Sequence, residues 1–240
     1  MRFILRHCFS YAMIGILITT VVLFGANIYT ATAVVTEAAP VPVTVVIDAG
    51  HGGEDGGAVS ADGVRESTLN LQIALRLNDL FHLLGQETAM VRTEDISIHS
   101  DDNATIAAKK VSDLKNRVKF VENITNPLLV SIHQNMFEQT KYYGTQVFYA
   151  PTPGSQELAE TLQTMVAESL DTTNHRAAKQ ANAVYLMEHI GCTGILVECG
   201  FLSNPTECAK LCTDGYQKQL SLAIAGGVTN YLRKVNTNEV

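Results

Sequence analysis

His51 stands in the turn Ala49-Gly50-His51-Gly52-Gly53-Glu54-Asp55-Gly56-Gly57, and the run Val43 to Ile47 before it is β-branched throughout. Such a run is too short for a typical helix and reads as a buried strand opening into a loop. Glycine-rich backbone can bend tightly around whatever the imidazole holds. Glu66 follows at the start of an apolar-periodic segment. Further on, the apolar run Pro127 to Ile132 delivers His133 and Asn135, and Gly194 to Val197 delivers Glu198. Taken singly, a histidine or glutamate in a loop is as readily packing or solvated surface. The repetition at successive strand ends is what points to chemistry. Two histidines and one carboxylate with an open fourth position are the usual ligand set of a hydrolytic zinc site. The second carboxylate then has a task, since a proton must leave the attacking water and reach the departing amine. Spacing does not decide which glutamate is the ligand and which the base.

The elements that must position these groups follow from periodicity. From Glu66 to Leu84, Leu69, Ile73, Leu77, Leu80, Phe81 and Leu84 recur at helical spacing, and Gly85 closes the pattern as a C-cap. Gln86 to Val91 reads as a second strand ending at Arg92, followed by a polar stretch from Thr93 to about Ser112 that is long enough to line or cover a site. Asp113 to Ile124 reads as an amphipathic helix with Leu114, Val118 and Val121 on one side and its charges, Lys115, Arg117 and Lys119, on a solvated face. A strand over Gly144 to Ala150 and a helix over Ser155 to Leu170 come next, then an irregular segment from Asp171 to Ala183, a short apolar segment at Val184 to Met187, and helices beginning at Pro205 and Tyr216. His99 and His175 have no partner at ligand spacing and read as non-ligands, His99 as solvated surface. Strands alternating with helices predict an α/β fold: one domain, a mostly parallel twisted sheet with helices on both faces.

The chain has 240 residues and a net charge of −7, with no lysine or arginine run longer than two, which excludes a nucleic-acid surface. Its first 41 residues differ from the rest. Arg2 and Arg6 precede an uncharged apolar run, Phe9 to Ile28, long enough to span a bilayer. The positive-inside bias then exports the downstream chain to an extracytoplasmic position. Ala31-Thr32-Ala33 resembles a small-residue cleavage site, so signal peptide and membrane anchor both remain open. Residues 1–41 are thus expected to be leader and linker, and 42–240 one catalytic domain. Cys8 precedes the apolar run and is no lipoprotein cysteine. Cys192, Cys199, Cys208 and Cys212 form no CxxC pair, and their disulfide state is left open.

The blocks Val-Ile-Asp-Ala-Gly-His-Gly-Gly, Ser-Ile-His-Gln-Asn and Val-Glu-Cys-Gly-Phe-Leu-Ser-Asn-Pro-Thr-Glu, with Glu66 between the first two, resemble the signature blocks of the zinc-dependent N-acetylmuramoyl-L-alanine amidases of type 3, in the same order from Val43 to about Arg233. The resemblance implies metal ligands at His51, Glu66 and His133, the catalytic glutamate at Glu198, a substrate contact at Asn135, a Zn²⁺ cofactor and a peptidoglycan substrate. The membrane-targeted layout and the Asp-Leu-Lys-Asn-Arg-Val helix look most like the germination-specific members of spore formers, which implies action on spore cortex in making muramic-δ-lactam. Met136 and Phe137 depart from the small residue common in the family after Asn135, so the groove floor is expected to differ. No wall-binding repeat is appended, which leaves targeting to the membrane segment or an accessory activating protein. Two other classes compete. A thiol hydrolase would use Cys199, but an activated cysteine needs an oriented base, and the histidines are taken by the metal. A glycan-binding module without catalysis would have no need of a base beside the metal.

Overall fold

Alternation of side chains along a strand decides which residue meets which layer. The computed structural model describes residues 17–21, 41–100 and 105–237, and the chain separates into the units Met1–Val41 and Pro42–Val240. In the first unit residues 17–21 are helical; the rest of the expected anchor lies outside the described residues, among which no helix is long and apolar enough to cross a membrane.

The second unit runs β1 (Thr44–Ala49), α1 (Glu66–Leu83), β2 (Thr88–Met90), α2 (Ile106–Glu122), β3 (Pro127–Asn135), β4 (Gln146–Tyr149), α3 (Ser155–Leu170), β5 (Lys179–Gln180), α4 (Tyr185–His189), β6 (Thr193–Phe201), α5 (Pro205–Leu211) and α6 (Asp214–Asn236). The strands form one six-stranded sheet in the order β2-β1-β3-β6-β4-β5. All neighbours are parallel except β4 and β6, which pair antiparallel. Val45, Ile47, Leu128, Val130, Ile195 and Val197 pack under α1, α3 and α6. Their alternates Val46, Leu129 and Leu196 pack under α2 and α4. Helices therefore cover both faces of a mostly parallel sheet, as the pattern predicts.

Four local expectations need correction. The helix after the polar stretch begins at Ile106, not Asp113, capped by Thr105 Oγ1, which accepts from the Ala108 amide at 3.2 Å. Its first two turns leave Ile106 and Val111 exposed, so no apolar stripe announces it. The segment expected to be irregular, Asp171 to Ala183, contains the short strand β5, and the apolar segment after it leads into the helical turn α4. His99 is half-buried, its Nδ1 3.0 Å from Ser97 Oγ.

The fourth concerns the charges of α2. Lys115 and Lys119 are solvated, but Arg117 is 2 % exposed. Its Nε donates to Asp113 at 2.6 Å, its Nη1 to Asp48 and to the Ala49 carbonyl (2.9 Å), and its Nη2 to the His51 carbonyl at 2.7 Å. Asp48 also accepts from Ser131 Oγ at 2.6 Å. Burial works to raise the Asp48 carboxyl, but Arg117 and Ser131 hold it below the usual carboxylate range. Removing one partner of a buried ion pair leaves the other charged and desolvated, at a cost of about 3–5 kcal/mol. Urea unfolding of Arg117→Ala is expected to show a loss of that size, whereas Lys115→Ala, on the solvated face, is expected to stay within about 0.5 kcal/mol of the parent.

Candidate active site

The turn after β1 delivers His51 with φ +61°, a left-handed conformation uncommon for a side-chain-bearing residue. Arg92 and Arg117 hold it there from below. Arg92 donates through Nε to the Ala49 carbonyl (2.8 Å) and through Nη2 to the Gly50 (3.0 Å) and Ser67 (2.9 Å) carbonyls, while Arg117 takes the His51 carbonyl. The glycines on either side are required by close approach. A Cβ on Gly50 would lie 2.2 Å from His133 Nε2, and one on Gly57, itself at φ +67°, 2.6 Å from Glu66 Oε2.

Glu66 opens α1 and is 4 % exposed. Its Oε1 accepts from the Gln134 amide at 3.1 Å and from Asn70 Nδ2 at 3.3 Å, its Oε2 from the Ala58 amide at 2.9 Å. His133 Nδ1 lies 2.9 Å from Oε1 and His51 Nε2 lies 3.3 Å from Oε2, with the imidazole centroids 5.1 Å apart and edge-on. Burial works to raise the Glu66 carboxyl, but its hydrogen bonds to His133 and His51 hold it far below the ordinary range. Asp55 Oδ2 accepts from His51 Nδ1 at 2.9 Å and lies 3.3 Å from Lys110 Nζ. A carboxylate only accepts, so Asp55 holds a proton on His51 Nδ1, which would leave the Nε2 lone pair for a cation in the cluster; in the metal-free chain Nε2 faces the Glu66 carboxylate.

His133 and Glu198 do not lie beyond their strands, where the apolar runs alone would put them. β3 continues to Asn135 and β6 to Phe201, and His133 stands opposite Glu198 in their parallel register, with an irregularity between His133 and Asn135. Glu198 is half-buried, and its Oε2 is sealed from solvent without a hydrogen-bond partner among the described residues. Burial, with Glu66 nearby, outweighs the histidines and pushes its carboxyl up to about 7. Asn135 ends β3 with its carbonyl accepting from the Leu202 amide at 2.8 Å. Cys199 lies wholly in the core under α1, α3 and α6, where burial pushes its thiol up, so it is neither exposed nor activated.

The donor set fits a zinc ion. One ligand atom from each of His51, Glu66 and His133 lies within 4.8 Å of the others. Tetrahedral bonds of about 2.0–2.1 Å place ligand atoms about 3.3 Å apart; His51 Nε2 lies 3.3 Å from Glu66 Oε2, and His133 Nδ1 lies 2.9 Å from the other carboxylate oxygen, Oε1. The Asp55 contact to the far nitrogen of His51 is the outer support that ligating histidines receive. Asp55, Asn70, Arg92, Arg117 and Gln134 were not singled out from the sequence as site residues. Asp55, in the glycine turn four residues after His51, Arg117, on the same helical stripe as Asp113 and Val121, and Gln134, inside the Ser-Ile-His-Gln-Asn block, had a local signal; Asn70 and Arg92 had none.

A mostly parallel sheet edge brings a trio that could hold a cation beside a half-buried carboxylate of raised pKa, an arrangement suited to acid–base chemistry in an α/β enzyme. The chain belongs to the N-acetylmuramoyl-L-alanine amidase family, whose model matches residues 45–230. It is 32 % identical over 188 residues to the germination-specific N-acetylmuramoyl-L-alanine amidase of Bacillus subtilis, covering 78 % of each chain. Among solved structures it resembles the CwlD amidase of Clostridioides difficile in complex with the GerS lipoprotein (TM-score 0.77, 38 % identity, 79 % of this chain and 98 % of that one). It also resembles an N-acetylmuramoyl-L-alanine amidase of Clostridium difficile 630 (TM-score 0.70, 33 % identity, 80 % and 97 %).

The raised pKa of Glu198 has a thermodynamic consequence in the metal-free chain. An acid whose folded pKa (about 7) exceeds its ordinary value of 4.5 stabilises the fold fully below about pH 4.5, and that contribution is lost as pH rises to about 7. The difference is on the order of 3 kcal/mol. His51, with its pKa raised by Glu66 and Asp55 against burial, acts in the same direction. In protein stripped with EDTA, urea midpoints are expected to fall from pH 5 to pH 8, and to fall markedly less in Glu198→Gln. An equal fall in the variant would remove Glu198 as the cause.

Proposed function

We propose that the chain is a zinc-dependent hydrolase of the amide bond between the lactyl group of N-acetylmuramic acid and L-alanine in peptidoglycan. The observation that carries this is the convergence of His51, Glu66 and His133 with Glu198 one strand away in register. Those three side chains would hold the ion, and Glu198 would be the general base. Zinc, when bound, supplies Lewis-acid polarisation of the amide carbonyl and lowers the pKa of water. Glu198 would take the proton of the attacking water and, as a carboxyl group, can return it. The same carboxyl then protonates the departing alanine nitrogen. Asn135, at the end of β3, would contact the substrate. Asp55 fixes the tautomer of His51, and Glu66, ionised, balances the cation's charge.

The biological setting follows from the relatives. Similarity to a germination-specific amidase supports action on spore cortex, toward muramic-δ-lactam and germination. A neighbouring structure solved with a lipoprotein supports an accessory partner. Residues 1–41 would be a cleaved signal or a membrane anchor, with 42–240 the extracytoplasmic catalytic domain; a phosphatase fused after Pro42 is expected to be active, and inactivity would overturn the topology.

Metal analysis is expected to give about one zinc per chain, reduced to near nothing in His133→Ala. Glu198→Gln should keep its zinc and lose on the order of a hundred- to ten-thousand-fold in release of stem peptide, measured by mass spectrometry of digested peptidoglycan. EDTA should abolish activity and iodoacetamide spare it. A Glu198→Gln enzyme with near-normal turnover, or full zinc in His133→Ala, would falsify these assignments.

A further inference from the structure

We propose that the cleft between the β3–β4 connection and the segment after α3 is a subsite for a free carboxylate on the peptide side of the scissile amide, with Arg176 and Lys141 as its cationic groups. The inference rests on the amidase reading and specifies how its substrate is recognised.

Residues 136–145 leave β3 directly beyond Asn135 and carry Phe137 and Tyr142, whose rings lie 5.3 Å apart and pack with Phe201 at 6.0 and 6.3 Å. The connection is fastened to the residues after β6. Phe137 N–H donates to Ser203 Oγ (3.1 Å), Asn204 Nδ2 to the Tyr142 carbonyl (3.3 Å) and Gly144 N–H to Glu207 (2.8 Å). Even so, Phe137 and Tyr143 remain 55 % and 47 % exposed. Beside them lies a cleft of about 290 Å³, lined by Lys141, Tyr142, Tyr143, His175 and Arg176 with Thr173 and Asn174, and by no acidic side chain.

Arg176 is built into this cleft. Its guanidinium lies over the Phe201 ring at 4.7 Å, donates through Nε to the Tyr143 carbonyl (2.9 Å) and through Nη1 to Gln146 Oε1 (3.0 Å). That leaves Nη2 without a partner among the described residues. Neither Arg176 nor Lys141 forms an ion pair with a described carboxylate. Of the acids in the vicinity, Glu207 already accepts from the Gly144 and Phe201 amides, and Asp171 from Thr173. A guanidinium fixed on three sides with one edge free is preorganised for a carboxylate.

The register ties the cleft to the reaction. Gln146 stands directly opposite Glu198 in the β4–β6 pair, so their side chains share a face. Arg176 Nη1 meets Gln146 Oε1 at 3.0 Å, and Gln146 stands one strand, about 4.8 Å, across from Glu198, so the cleft opens one strand spacing and one side chain away from it. Extended peptide covers about 3.3 Å per residue, so a substrate whose scissile nitrogen is at Glu198 brings its second or third residue to the cleft. On the sugar side the lactyl carboxyl is consumed in the amide and the N-acetylated ring is neutral. A free carboxylate within this reach belongs to the peptide.

The test compares two synthetic N-acetylmuramoyl-L-alanyl peptides, one with free carboxylates on its second and third residues and one with both converted to carboxamides, together with the corresponding free peptides in calorimetric titrations. The parent is expected to favour the acid over the amide roughly ten- to a hundred-fold in kcat/KM, expressed mainly in KM, and to bind the free acidic peptide more tightly than its amide. Lys141→Gln, at an exposed position, should narrow that ratio, Arg176→Gln should narrow it further, and Arg176→Lys, which keeps the charge without the fork, should fall between. Cleavage of both substrates without discrimination, or discrimination unchanged in the Lys141→Gln/Arg176→Gln double variant, overturns the subsite and leaves the amidase reading standing. Discriminating binding of the free peptides without cleavage of either substrate supports the subsite and removes the amidase reading.

Discussion

The active edge of this protein depends on a buried arginine. Arg117 enters from α2 and satisfies Asp48, Asp113 and the carbonyls of Ala49 and His51, while Arg92 takes the carbonyls of Ala49, Gly50 and Ser67. Where a parallel strand ends, its last carbonyls lose their ladder partners and must find others. Here two guanidinium groups supply them, which turns a glycine-rich turn that would otherwise sample many conformations into a fixed support. The left-handed backbone of His51 is the strained element this support retains. His51 then needs only Asp55 to set its tautomer.

The two glutamates show how environment divides one functional group into two roles. Glu66 sits at the first turn of α1 among backbone amides, Asn70 and both imidazoles, every one of which favours its ionised form. Glu198 has a sealed oxygen with no partner among the described residues and a neighbouring carboxylate, both of which favour its protonated form. A group fixed as an anion is suited to hold a cation, as proposed for Glu66, and one whose surroundings favour its protonated form is suited to exchange a proton, as proposed for Glu198.

β4 gives the site its shape. By pairing antiparallel with β6 it begins where β6 ends, so the connection from β3 crosses the carboxyl edge of the sheet and deposits its aromatic residues beside the end of β6. A parallel strand in that place would have required a crossover to the opposite edge and left the region beside Glu198 open. Phe137, packed with Tyr142 and Phe201 and still half exposed, forms part of the wall so created.

Elements with strong periodicity, and through them the class of fold, are legible in the chain alone. The β-branched run before His51, the leucine stripe of α1 closed by Gly85, and the limits of α3 can all be read there, because burial of one face imposes a pattern on nearest neighbours in the chain. The motif blocks also indicate which histidines and glutamates belong together. Everything that depends on distant pairing was decided only by the tertiary structure. The start of α2 carries exposed apolar residues and so shows no stripe; Arg117 looks like a surface charge until Asp48, sixty-nine residues earlier, is placed under it. His133 and Glu198 lie within their strands because β3 and β6 pair with each other beyond the apolar cores that announce them. The different protonation of the two glutamates is likewise a property of desolvation and neighbours, which exist only once the strands are side by side.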